Sequence, residues 1–190
     1  MARVKKRGRF LRFVEYCSQT GFNDGYFGMF FEEGIYMAVI FVTGLSGVGT
    51  SSAMEQLGKE GYNVVDTDYG YVKEIENGDI VARVWDEEKI TQVIGKYKQS
   101  HLFISGCYEN QVKFYKQFDY VVLLKAEFNV MLDRINKRTS NNYGKSQKEK
   151  AEIIYSYENV LPLLEKSSDI VIDTTHTGIN EVCKRLKELL

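Results

Sequence analysis

One proline, two histidines, one tryptophan and three cysteines occur in the 190 residues. So little proline excludes collagen-like and proline-rich disordered chains. Cys17, Cys107 and Cys183 are odd in number and widely spaced, which excludes a disulfide framework and paired zinc-ligand motifs, and points to a reducing, cytoplasmic compartment. No run reaches the roughly 18 consecutive apolar residues of a membrane span. Charge of one sign is also missing. Lys+Arg 25 against Asp+Glu 26 leaves a net charge of -1, less basic than a general nucleic-acid binder. What remains is ordinary globular composition, 44% hydrophobic and 27% charged, at the length of one domain.

Composition changes near residue 36. The first 36 residues carry six basic and four acidic side chains, leaving nineteen and twenty-two for the rest. Six of the first twelve residues are basic, and the aromatic, glycine-rich stretch after them has no strand or helix period. A targeting peptide, a basic arm for an anionic partner, and an extension ahead of a natural start at Met37 all compete. The acidic residues Glu15, Asp24, Glu32 and Glu33 disfavour the first, and the place of Met37 just before the first strand favours the last. The expected organisation is an extension over 1–36, poorly ordered or foreign to the domain, and one domain over 37–190.

From Met37 strands and helices alternate. The β-branched run at 39–43, then 63–66, 101–105, 120–124 and 169–173, reads as five strands buried in a parallel sheet. Helices are expected over 51–60, 86–99 with Asp86 as N-cap, 109–118, 127–139, 147–166 and 178–190. Pro162 lies inside the fifth of these and should kink or end it. Alternation of this kind gives right-handed βαβ units, hence an α/β fold with helices on both faces of the sheet. Ligands of such sheets bind beyond the carboxyl ends of the strands.

The first strand runs into Gly44-Leu45-Ser46-Gly47-Val48-Gly49-Thr50-Ser51-Ser52. Gly44, Gly49 and Ser51 fit the phosphate-loop pattern G-x-x-x-x-G-K-[ST], with threonine at position 50 in place of lysine. Glycines let successive N–H groups curl into an anion nest, and the helix that follows adds its positive end. Ser51 has the hydroxyl that ligates magnesium in such loops. Thr50 is neutral and too short to reach a transferring phosphoryl group. Natural loss of activity, a cation supplied from elsewhere and an introduced substitution are three explanations that the sequence leaves open.

Asp66-Thr67-Asp68 ends the second strand, Ser105-Gly106-Cys107 the third, and Arg138-Thr139 the fourth helix. In these motifs the chain resembles the P-loop kinases of small metabolites: the shikimate, gluconate and nucleoside monophosphate kinases, with the layout nearest to shikimate kinase. It is more similar still to a loose group of bacterial kinase-like AAA-family ATPases with D-T-D-Y-G, S-G-C and N-x-x-G-K elements, here Asp66 to Gly70, Ser105 to Cys107, and Asn141 to Lys145. The resemblance implies a three-layer αβα sandwich around a five-stranded parallel sheet, and an ATP- and Mg2+-dependent phosphotransferase for a small hydroxyl-bearing metabolite. It implies nucleotide binding by Gly44, Ser46, Gly47, Val48, Gly49, Thr50, Ser51, Ser52 and Arg138, with the arginine on the adenine, and magnesium on Ser51 and Asp66. Asp68 would hold and deprotonate the acceptor hydroxyl beside Ser105, Gly106 and Cys107, and Lys145 would close over the phosphates. Val160 stands where shikimate kinases place the arginine that grips the substrate carboxylate, which argues against shikimate.

Rival readings are a nucleotide-binding module without catalysis and an interaction protein on the same scaffold that binds no nucleotide. Partners are expected to be a nucleotide and a small acceptor, with no nucleic acid or membrane, and the assembly a monomer or weak dimer. Arg134, one helical turn from Arg138, reads equally as a surface residue, and Tyr69 and Tyr71 as pocket lining or packing. Cys107 reads as a small buried residue, Trp85 as a packing one, and no role is assigned to His101 or His176.

Overall fold

The computed structural model describes residues 37–77, 80–97, 99–139 and 141–190. The expected extension over 1–36 lies outside the described residues.

Five parallel strands form one sheet in the order β2-β5-β1-β6-β7. They are β1 (Val39–Thr43), β2 (Val64–Asp66), β5 (Leu102–Ser105), β6 (Tyr120–Lys125) and β7 (Ile170–Asp173). The three central strands are apolar on both faces because helices cover both. Val39, Phe41, Leu102, Ile104 and Val121 pack against Ile90, Val93 and Ile94 of helix α2 (Glu87–Lys96) and Phe114 of a 3-10 helix, Glu109–Gln117. Ile40, Val42 and Phe103 alternate with them and so face the opposite layer. Helices α1 (Thr50–Lys59) and α6 (Ile179–Lys187) pack against each other, and Cys183 of α6 donates to the Ala53 carbonyl oxygen of α1.

The sheet order reverses at β1, which lies between β5 and β6. The chain leaving β1 therefore opens into the crevice where the neighbouring connections diverge to opposite faces. The ends of β1, β2 and β5 are held in step by the pairs Val42↔Ser105 and Asp66↔Ser105.

Two carboxylates, Asp119 buried and Asp169 exposed, fix strand starts: Asp119 accepts from Val39 N–H at 2.8 Å and Asp169 from Val121 N–H at 2.8 Å. Asp86 caps α2 as expected, accepting from Lys89 N–H at 3.3 Å. Ser146 and Glu149 form a capping box on α4 (Gln147–Tyr155). The long helix expected over 147–166 is interrupted. A π-helical segment, Ser156–Val160, follows α4, and α5 (Leu161–Ser167) then starts with Pro162 in its first turn. Proline is tolerated there because its missing N–H is one of the unpaired donors of a helix start.

One element is absent from the sequence reading. Between β2 and α2 lies an antiparallel hairpin, β3 (Val72–Asn77) with β4 (Ile80–Trp85), in register from Val72↔Trp85 to Asn77↔Ile80. Asp86 N–H donates to Tyr71 O at 2.8 Å and closes its base.

Candidate nucleotide and acceptor site

The glycine loop is shaped by contacts that exclude side chains. Gly47 and Gly49 have φ of 88° and 98°, the left-handed region that favours glycine. Gly44 is glycine for a different reason: a Cβ there would lie 2.5 Å from Leu124 O and 2.7 Å from a Val48 methyl. A Cβ on Gly47 would meet Met131 O of α3 (Phe128–Lys137) at 2.7 Å. Helix α1 starts directly from the loop, with Gly49 at its N-cap, no side-chain cap and no acidic residue in the first turn. Among the described residues no side chain caps its first N–H groups, the condition for anion binding at a helix start. Thr50 Oγ1, at the position where the loop pattern has lysine, is buried and has no hydrogen-bond partner among the described residues.

A latch holds the loop from below. Arg134 Nη2 donates to Thr174 O at 2.6 Å, and Nη1 donates to Thr174 Oγ1 at 3.0 Å and to Gly47 O at 3.4 Å. The Thr174 hydroxyl donates to Val48 O at 2.9 Å. Arg134 is thus not a solvated surface residue. It ties α3, the end of β7 and two loop carbonyls together, a link that no local sequence pattern announces.

On the other side of the loop the ends of β2 and β5 converge. Burial pushes the Asp66 carboxyl above its ordinary range. The N–H of Asp68 pulls it back, the Asp68 charge pushes it up again, and the Ser105 and Ser51 hydroxyls pull it down. Asp66 thus lies near the Ser51 and Ser105 hydroxyls. A half-buried carboxylate beside two hydroxyls suits a hydrated divalent cation, a hard ion that takes oxygen ligands and keeps several waters. Among the described residues no group of three His, Cys, Asp or Glu could hold a metal by itself. Asp68 N–H donates to Asp66 Oδ1 at 3.2 Å.

Asp68 accepts a hydrogen bond from Tyr108 Oη at 2.5 Å. Burial, and then this bond, raises the Tyr108 hydroxyl above its ordinary range. Behind them the Trp85 indole N–H donates to Thr67 Oγ1 at 2.8 Å, and the Thr67 hydroxyl donates to Ser105 O at 2.5 Å. Gly106 runs so close to Thr67 and Trp85 that a Cβ would collide with the Thr67 hydroxyl. Asn110 brackets Trp85 through its backbone, accepting from N–H at 2.9 Å and donating to O at 3.0 Å. Burial raises the Cys107 thiol above its ordinary range.

The expected residues fall into two groups. Loop residues 44–52, Asp66, Asp68, Ser105, Gly106 and Cys107 share the mouth between β1, β2 and β5. Arg138, at the C-terminal cap of α3, and Lys145 lie on the stretch of chain that follows α3. Arg138 Nη2 donates to Tyr143 O at 2.8 Å, while its buried Nε has no partner among the described residues. Lys145 is exposed, and among the described residues no hydrogen bond or ion pair ties it to the glycine loop. The loop bearing it is pinned, with Gly144 buried against Ile135 and Ile153, and the Gly144 and Ser146 N–H groups donating to Glu149 at 3.2 and 3.0 Å. Tyr69 is 76% exposed beside Asp68, whereas Tyr71 packs on the core. Trp85 is fully buried. His101 accepts from Ala38 N–H at 3.1 Å, a structural role. Tyr108 and Arg134 are the members that sequence reasoning missed.

Comparisons with known proteins agree with this architecture. Shikimate kinase from Acinetobacter baumannii, solved in complex with shikimate, superposes with a TM-score of 0.57 at 14% identity, over 80% of this chain and 92% of that one. Shikimate kinase from Bacteroides thetaiotaomicron gives 0.54 at 15% identity, over 81% and 98%. At such identities the likeness is one of fold. No curated protein matches. Among the described residues no helix is long and apolar enough to cross a membrane. The AAA_18 family of AAA domains matches residues 40–155, from the second residue of β1 to the end of α4, and the chain belongs to that P-loop, kinase-like family.

Proposed function

We propose that the protein is an ATP-dependent phosphotransferase that acts on a small hydroxyl-bearing metabolite. The observation that carries this reading is an uncapped helix start at the end of the glycine loop with the Asp66 carboxylate near its Ser51, and Asp68 two residues further along the chain. A bare strand-to-helix turn needs no pair of carboxylates at its mouth.

In this reading the main-chain N–H groups of residues 44–52 hold the polyphosphate, and Arg134 keeps the loop curled. Ser51 and Asp66 would hold Mg2+, which supplies charge neutralisation between the phosphates. Arg138, with its buried Nε unpaired, faces the base. Asp68 orients the acceptor hydroxyl and takes its proton as the acceptor oxygen bonds to the γ-phosphorus. The bond from that phosphorus to the bridging oxygen breaks and the nucleoside diphosphate leaves. Positioning and electrostatics dominate such a transfer. Tyr108 keeps Asp68 on the acceptor side.

Thr50 favours a second reading, a nucleotide-binding module with weak or lost turnover. The backbone grip survives the substitution, whereas loss of one preorganised donor costs about 10²–10³ in rate. Calorimetry with Mg-ATP tests both readings at once: no heat at millimolar nucleotide removes them and leaves an interaction protein. Phosphoryl transfer to a panel of hydroxylated metabolites, run beside Thr50→Lys, divides them. Turnover by the natural chain supports the kinase, and turnover by the lysine variant alone supports the binder.

A further inference from the structure

The mouth of the site already holds a hydroxyl that belongs to the chain. Tyr108 Oη donates to Asp68 Oδ1 at 2.5 Å, and among the described residues no other side-chain hydroxyl is bonded to that carboxylate. The charges of Asp68 and Asp66 both act on the Tyr108 hydroxyl, so it stands at the same mouth as the two carboxylates. Its neighbours are otherwise engaged. The Thr67 hydroxyl donates to Ser105 O, and Tyr69 is 76% exposed. Tyr108 is held from two sides. Its N–H donates to Gln111 Oε1 at 3.0 Å, and Gln111 Nε2 donates to Tyr115 Oη at 2.8 Å. Its ring lies 6.1 Å from that of the fully buried Trp85. Holding Asp68 in place would need only a donor, which an amide supplies as well. A phenol brings in addition an oxygen that becomes a nucleophile once a base takes its proton.

We propose that Tyr108 is itself a phosphoryl acceptor: with a magnesium-bound nucleoside triphosphate in the loop and no metabolite at the mouth, the chain phosphorylates this tyrosine in cis. The inference rests on the phosphotransferase reading. Asp68 takes the phenolic proton and the Tyr108 oxygen bonds to the γ-phosphorus. The bond from that phosphorus to the bridging oxygen breaks, and the nucleoside diphosphate leaves with the electron pair. Base and hydroxyl are in contact beforehand, so the step has the positional advantage of an intramolecular reaction. A metabolite hydroxyl must displace the phenol from Asp68 to be deprotonated there, and while no metabolite does so the phenol takes its place. The phosphotyrosine carries a charge of about −1.5 to −2 beside Asp68 and Asp66. It removes the hydrogen-bond donor from Asp68 and fills the acceptor side, so the reaction stops after a single transfer per chain.

The full chain is incubated with Mg-ATP and no metabolite, its intact mass is followed, and the modified residue is mapped by fragmentation. The mass should rise by a single phosphoryl group, at Tyr108, with a first-order rate that dilution of the chain leaves unchanged. Tyr108→Phe should lose the modification, and Asp68→Asn should slow it roughly 10²- to 10⁴-fold, while calorimetry shows both variants still binding Mg-ATP. The mapped site in the natural chain decides the matter should either variant fail to fold. Trp85, the sole tryptophan, gives a second readout. Freed of nucleotide, the modified chain should differ from the unmodified one in Trp85 emission, because the modified ring lies against it. A phosphoryl group on another residue, modification that persists in Tyr108→Phe, a rate that rises with chain concentration, or unchanged emission would overturn the proposal. Transfer to a metabolite by a chain that never modifies Tyr108 would remove this inference and leave the phosphotransferase reading in place. No heat with Mg-ATP would remove both.

Discussion

Asp66 and Asp68 are two residues apart and face opposite demands. Asp66 sits among hydroxyls with its carboxyl pushed up by burial, so the native state holds its proton more tightly than the unfolded chain does. The sign follows from proton linkage: Asp66 adds stability only at low pH, and that contribution is lost as pH rises through the raised value. Asp66→Asn should therefore raise the melting temperature of the nucleotide-free protein at neutral pH, with the gain vanishing in acid. Mg-ATP binding should show the reverse, weakening as Asp66 takes up its proton and losing that pH dependence in the variant. Thermal melts and calorimetry across pH check both signs. Asp68 touches the acceptor side through Tyr108. Asp68→Asn should lower phosphoryl transfer by about 10²–10⁴, the usual span for a positioned base, with Mg-ATP affinity retained. A parallel loss of affinity in titration would remove that role.

Among the elements, the glycine loop separates two kinds of constraint. Gly44 has ordinary backbone angles and no room; Gly49 has room and a left-handed φ of 98°. Gly44→Ala must displace Leu124 O or Val48 and should cost about 1–3 kcal/mol as overpacking. Gly49→Ala should cost about 1–2 kcal/mol from backbone strain alone. Denaturant melts give both values, and only Gly44→Ala should disturb the neighbouring strand β6 in amide exchange. The latch is testable in the same way. Thr174→Val leaves Val48 O without its donor and removes one acceptor from Arg134, so about 1–3 kcal/mol should be lost, together with nucleotide affinity. The latch also shows where sequence reading stops. The five strands and the loop were legible because β-branched runs and glycine spacing are local. Arg134 and Thr174 lie 40 residues apart, as do Asp68 and Tyr108, and no local period predicts either meeting. The hairpin was hidden for another reason. Val72 and Ile75 fall on opposite faces of β3, so strict alternation is missing. Asn77-Gly78, a pair that favours tight hairpin turns, was the available signal.

For the molecule as a whole, the sheet order fixes where ligands act, and the two expected substrate sites flank the carboxyl end of β1. Occupancy of the loop should therefore stabilise the domain as a unit. A ligand at a hundredfold excess over Kd adds about 2.7 kcal/mol, and each kcal/mol moves the melting temperature of a domain this size by about 2–4 °C. Mg-ATP should thus raise it by about 5–10 °C in differential scanning fluorimetry, with magnesium-free ATP giving less. No shift at saturating nucleotide would count against loop occupancy.

The hairpin leaves the body of the protein and returns to it at one place, where Asp86 N–H meets Tyr71 O and Val72 pairs with Trp85. A ribbon attached at a single base can be trimmed, lengthened or re-lettered without disturbing any strand of the parallel sheet. The glycine loop, Asp66 and Asp68 lie outside that ribbon. The ribbon and the glycine loop are in this way separable stretches of chain, and the first can be rewritten while the second is kept.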